Sequence, residues 1–369
     1  MTQIPRPEHP QPQMKREHWK NLNGEWDFSF DFGCSGIDQK WQEGKTDWEK
    51  KILVPFCPES DLSGIGYKDF IPGVWYHRTI TLTGEELKGD LLLHFGAVDY
   101  DARVWINGVE AGRHQGGYVS FTFNITKLVK EGENDITLFA ADDVRGGKQP
   151  KGKQSHFFYS RGCDYTRTTG IWQTVWLEWV PESYIEKVQY YPNLAEATLG
   201  IKAVVKGQGT LEAKAFYGGE PCGSVSAKSE GGTVTMTLPL SRLEKWEPGH
   251  GRLYDLTLTY GEDKVESYFG MREVRLDGEK FLINDKSVFQ RLVLDQGFYP
   301  DGIYTAPTEE ALVKDVELSM DAGFNGARLH QKVFEPLFLY HCDKAGYLVW
   351  GEQGCCCLLY TSDAADDMQ

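Results

Sequence analysis

No apolar run in this chain of 369 residues approaches the roughly 18 residues that a membrane-spanning helix needs. That absence argues against a helical membrane protein. Basic residues are in short supply as well: 39 Lys and Arg stand against 54 Asp and Glu, a net charge of −15. Nucleic acid and anionic membranes both require a positive face, so neither is expected as a partner. The N-terminal stretch MTQIPRPEHPQPQMKREHWK contains no apolar core, which predicts no secretory signal and a cytoplasmic location. Among the eight cysteines there is no CxxC pair, and Cys34, Cys57, Cys163, Cys222 and Cys342 are scattered. Such spacing fits reduced thiols rather than a zinc framework or a disulfide scaffold. With neither metal-ligand spacing nor a nucleotide-binding glycine fingerprint, no metal and no cofactor are expected.

What the chain does have is aromatic residues and glycine: 11 Trp, 18 Tyr, 19 Phe and 40 Gly. Trp26, Phe28, Phe30 and Phe32 alternate with polar residues, the period of a strand with one buried face. Further strands are predicted at 73–83, 91–95, 103–106, 118–124, 134–141 and 174–180, with Asn107-Gly108 as a hairpin turn. The pattern predicts a jelly-roll β-sandwich over 1–182, preceded by an irregular arm. The connection 143–171 is long enough for a functional loop. Its basic run Arg145, Lys148, Lys151 and Lys153 reads either as an anion site or as a solvated loop. Tyr159, Tyr165 and Trp172 read as sugar-stacking aromatics or as packing. Six candidate strands between 184 and 269 predict an immunoglobulin-like β-sandwich over 183–272 without its disulfide.

After Gly270 the period changes. A strand at 288–294 is followed by a helix capped by Thr308, with Leu312, Val316 and Met320 on one face and Gly323 at its end. A second strand (324–329), a second helix (336–344, ended by Gly346) and a third strand (347–350) complete the alternation. This implies parallel strands with right-handed crossovers, the start of a (β/α)8 barrel or an open α/β sheet over 273–354. The last fifteen residues, CCCLLYTSDAADDMQ, break the preceding composition. They are expected to be non-native, with the natural frame continuing differently after about Gly354.

In α/β barrels, working residues sit where strands end. Here those positions hold Asp295-Gln296, then Arg328-Leu329-His330-Gln331, then Glu352. A polyol would use such a rim, carboxylates accepting from hydroxyls and Arg or His donating. An ion-pair network around Arg328 that only fixes loops is the other reading, and for Glu352 the two are level.

The segments FGMREV (269–274), FLINDKSVFQRLVLDQGFYPDG (281–302) and GFNGARLHQKVFEPLFLYHCDKAGYLVWGE (323–352) resemble glycoside hydrolase family 2. Upstream, LNGEWDFSFD (22–31), VPFCPESDLSGIG (54–66), VDYDARVWINGVEAGRHQGGY (98–118) and TRTTGIWQTVWLE (166–178) resemble its sugar-binding sandwich. The resemblance covers residues 15–354 and implies a retaining exo-β-glycosidase acting on terminal β-linked sugars, β-galactosidase-like, whose parent assembles as a homo-oligomer. Its acid/base would lie in an Asn-Glu pair after the fourth barrel strand and its nucleophile further on. The chain contains no Asn-Glu dipeptide, so no catalytic residue is assigned and the fragment is expected to be inactive. What carries over is a carbohydrate-binding shell: Arg328 at the second strand end, His330 and Gln331 after it, Asp295 and Gln296 at the first strand end. Asp164 and Arg167 are the candidates from the sandwich loop, where ordinary loop capping is the other reading. The alternative is a non-catalytic carbohydrate-binding protein built on the sandwich alone.

Overall fold

A computed structural model describes residues 4–354; the expectation for the tail 355–369 lies outside the described residues. The chain is mainly β, with two α-helices among the described residues. Among the described residues no helix is long and apolar enough to cross a membrane.

The first layer pair is a six-stranded antiparallel sheet facing a four-stranded one. In spatial order the larger sheet runs Lys50–Val54, Gly24–Phe30, Gly73–Leu82, Gly132–Ala141, Asp101–Ile106, Val109–Gln115. The smaller runs Trp19–Asn21, Val175–Val180, Asp90–Phe95, Phe121–Asn124. Alternation buries Trp26, Phe28, Val74, Tyr76, Val104 and Leu138 against Leu93, Phe95, Val175 and Leu177 in one core. Asn107 and Gly108 both take positive φ in the hairpin between Asp101–Ile106 and Val109–Gln115, as a two-residue turn requires. Phe32 lies beyond the strand end and is exposed.

A second sandwich follows. Tyr184–Asn193, Thr198–Lys206 and Gly232–Pro239 form one sheet; Glu220–Ser229, Gly209–Tyr217, Leu253–Tyr260 and Asp263–Gly270 form the other. The strand Glu220–Ser229 is one the sequence pattern misses, because only Cys222 along it is buried.

Beyond Gly270 a small antiparallel meander, Val274–Asp277, Lys280–Ile283 and Lys286–Ser287, precedes the α/β part. The apolar run 288–294 is therefore mostly connection, with the strand starting at Leu292 and Phe289 exposed. Three parallel strands, Leu292–Asp295, Gly326–Leu329 and Leu348–Gly351, alternate with helices Glu309–Asp321 and Pro336–Ala345. Thr308 caps the first helix by accepting from the Ala311 N–H, and Gly346 ends the second in the left-handed region. Val293, Ala327, Leu329 and Val349 pack beneath Leu312, Val316, Leu337 and Phe338. On the opposite face Leu292 and Leu348 pack against Trp246 and Ile283, while the next row, Leu294, Arg328 and Trp350, is exposed.

The N-terminal arm ties the parts together. Arg16 is buried and bridges Glu178 of the first sandwich, Asp263 of the second and the Ile185 carbonyl. Arg6 forks onto Glu335, at the head of the second helix, and donates to the Ala306 carbonyl.

Candidate functional site

The C-terminal edge of the parallel sheet collects the polar groups. Register places Asp295, Leu329 and Gly351 in the last paired row, and Gln296, His330 and Glu352 each follow by one residue. Side chains alternate across a sheet, so those three share with Arg328 the face away from the helices. The Arg328 Nε donates to Glu352 Oε1, while Glu352 Oε2 accepts from the Gln331 backbone N–H at 3.1 Å. His330 Nε2 stands 4.0 Å from the same carboxylate. One glutamate thus organises arginine, histidine and the turn at Gln331, which itself adopts positive φ.

Among the described residues, two polar atoms at this rim are buried without a partner: His330 Nδ1 and Gln296 Oε1. A buried polar atom left unpaired costs roughly 1–3 kcal/mol. Burial pushes the His330 pKa below its usual value; Glu352 opposes the shift, and Lys153 with Arg328 adds to it. The imidazole is then neutral near pH 7, able to accept at one nitrogen and donate at the other.

Asp295 separates from this group. Alternation puts it with Val293 on the helix-covered side, where Oδ1 accepts from the Gly297 N–H at 2.8 Å. Burial raises its pKa. Its carbonyl accepts from the His330 N–H at 2.7 Å, so it fixes the first strand end relative to the second.

The long sandwich loop reaches this rim. Gly152 (φ +56) packs so closely that an added Cβ would meet the Gln331 carbonyl oxygen at 2.4 Å, and Tyr165 lies against Phe298, centroids 4.4 Å apart. Asp164, next to Tyr165, pairs with Lys151 at 3.7 Å. Arg167 is not at the rim. It is buried, and its guanidinium donates to the carbonyls of Lys68, Ser155, Phe157 and Phe158, holding the loop from inside. Trp172 is likewise core, its indole N–H donating to the Gly117 carbonyl at 2.7 Å. Tyr159 is half exposed at the loop surface.

Sequence reasoning misses the support beneath. Lys332 is buried, donates to the carbonyls of Gly297 (2.6 Å) and Tyr304 (2.8 Å), and lies among Trp172, Tyr304 and Phe334. Burial pulls its pKa down to about 8. Under the loop, Glu59, Asp99 and Asp142 are buried together. Thr169 donates to Glu59 and Asp142, Gln149 to Asp142 and Gln154 to Asp99. Burial raises Glu59 to about 8 and Asp142 to about 6. A lysine or glutamate by itself gives no sequence signal of burial; only the fold reveals these.

Comparison with known proteins bears on this arrangement. Residues 19–181 match the model for the sugar binding domain of glycosyl hydrolases family 2, and residues 183–272 match a second model of that family. A pig (Sus scrofa) β-glucuronidase is 26% identical over 93% of this chain and 58% of its own length. A Lactococcus lactis β-galactosidase is 25% identical over 90% of this chain and 35% of its own. The chain therefore spans about a third to three fifths of these relatives. The solved β-glucuronidase of Ruminococcus gnavus in complex with D-glucuronic acid shares the fold, with TM-score 0.80 at 20% identity over 93% of this chain and 61% of that one.

Proposed function

The chain belongs to glycosyl hydrolase family 2, and from that premise we propose that it is the N-terminal part of a retaining exo-β-glycosidase acting on terminal β-linked sugars. In this reading the division is 1–182, 183–272 and 273–354, and the parallel sheet opens a (β/α)8 barrel. The observation that carries the reading is the sheet itself: helices on one face, an exposed row Leu294–Arg328–Trp350 on the other, and a polar rim where His330 Nδ1 and Gln296 Oε1 have no partner among the described residues. Arg328, His330, Gln331 and Gln296 serve as the sugar-facing groups, with Glu352 orienting the first three. Asp164 faces the sugar from the loop. Asp295 and Arg167 position the strand end and the loop respectively.

Retaining hydrolysis needs two carboxylates about 5–5.5 Å apart, one as acid/base and one as nucleophile. Glu352 is committed to Arg328 and Gln331, so it serves neither role. The finer reading is β-galactosidase-like: Arg328 is already neutralised by Glu352, which suits an uncharged sugar. A second reading, a uronate-specific site, is favoured by Lys153, which follows Gly152, the loop residue packed against the Gln331 carbonyl at the rim.

The test has two arms. The 369-residue chain should give no turnover of nitrophenyl β-galactoside or β-glucuronide above background; turnover would overturn the assignment of both catalytic carboxylates to later strands. In an enzyme completed with those strands, NMR should show the β anomer as first product, and the preferred substrate decides between the two sugars. There Arg328→Ala should raise KM at least tenfold, and unchanged KM and kcat would reduce Arg328 to a loop-fixing ion pair.

A further inference from the structure

A separate cavity of about 470 Å³ opens at the root of the long loop, lined among others by Phe70, Tyr100, Asp143, Arg145, Lys148 and Arg167. None of the rim residues contributes to it. Three cations converge there, and among the described residues none of the three has a carboxylate within ion-pair distance. Arg167 is offset by four carbonyls and by Glu59, Asp69 and Asp142 nearby, so the uncompensated charge in this acidic chain is that of Arg145 and Lys148. Arg145 and Arg167 both lie over the Phe70 ring, at 4.1 and 4.4 Å from its centroid. Two like charges on one ring repel unless an anion joins them. Arg167 Nε is moreover buried without a partner among the described residues.

The carboxylates at the wall are otherwise engaged. Asp142 accepts from Gln149 and Thr169, Asp143 from the Gly146 N–H, and Asp101 pairs with Arg113. Their presence weighs against a dianion and for a monoanion, which the planar guanidinium fork of Arg145 matches as a carboxylate. Beside the cations, Ile71 and Val144 supply an apolar wall, suited to the C–H face of a sugar ring, while Tyr100 offers a hydroxyl.

We propose that this cavity binds a small sugar acid, its carboxylate held by Arg145 and Lys148 and its ring laid against Ile71 and Val144. The site is distinct from the glycosidase rim and does not depend on that reading. Ligand-observed NMR on the full chain at micromolar concentration tests it, with D-galacturonate as probe, D-galactose as its uncharged counterpart and inorganic phosphate as a plain anion. Galacturonate should bind saturably, with galactose and phosphate at least tenfold weaker. The exposed pair Arg145→Ala/Lys148→Ala should weaken galacturonate at least tenfold with an unchanged near-UV CD spectrum, while Arg328→Ala leaves it unaffected. Absence of saturable binding, or phosphate binding as tightly as galacturonate, would overturn the proposal. Affinity retained in the double variant but lost in Arg328→Ala would do the same, by moving the ligand to the rim.

Discussion

At the residue scale, the sandwich carries a pH dependence of identifiable origin. Glu59 is fully buried, accepts one backbone N–H from Thr169 and leaves its other oxygen unpaired. Burial raises its pKa to about 8. A carboxyl raised on folding stabilises fully below the unfolded value near 4.5, and that contribution is lost as pH rises through 8. Between pH 4.5 and 7 the loss is on the order of 3 kcal/mol. Glu59→Gln should flatten this slope in urea titrations across the window; an unchanged slope would show that Glu59 ionises freely. Lys332 acts in the opposite sense at higher pH. Its pKa falls to about 8 on folding, so its contribution is present above the unfolded value near 10.4 and is lost as pH falls through 8. Arg328, His330 and Glu352 were legible in sequence because strand ends of an α/β pattern name a place. Lys332 was not, since a lone lysine beside an apolar run is ordinarily assigned to solvent.

At the element scale, legibility followed amphipathic contrast. Gly73–Leu82 and Gly132–Ala141 are central strands with long apolar stretches buried on both faces, and they read clearly. Val109–Gln115 is the polar edge of its sheet, and Glu220–Ser229 is rich in small and polar residues, so neither alternates visibly. Both helices were marked by their caps, but what Gly346 does beyond ending a helix was not legible. Its φ is +71, and an added Cβ would meet the backbone nitrogens of His250 and Gly249 at 2.5 and 2.7 Å. The turn 247–250 thus docks on the helix end, where the Gly249 N–H bonds the Gly346 carbonyl at 2.8 Å. Gly346→Ala should therefore cost more than the roughly 1–2 kcal/mol of a left-handed alanine. Gly218→Ala, at φ +60 in open space, is the control. Equal losses in chemical denaturation would mean that the turn yields without cost.

At the scale of the whole molecule, two features pull against each other. The arm fastens three bodies through Arg6 and Arg16, and removing one member of a buried ion cluster typically costs about 3–5 kcal/mol. Arg16→Ala leaves the buried Glu178 and Asp263 without their guanidinium, so it should lower stability by that amount and split thermal unfolding into separate sandwich transitions. One unshifted transition would show the arm to be dispensable. Against this cohesion stands the parallel sheet. An eight-stranded barrel closes on itself and abolishes its edges, whereas among the described residues Leu348–Gly351 pairs on one side only. On the open face Leu294 is 51% and Trp350 52% exposed. Apolar surface beside an unpaired strand edge drives association, so the chain should form concentration-dependent oligomers by light scattering. The double change Leu294→Glu/Trp350→Glu, on exposed sites of that face, should shift it toward monomer. A monodisperse, cooperatively melting wild-type monomer at tens of micromolar would mean that this face needs no further strands, and the barrel reading would fall with it.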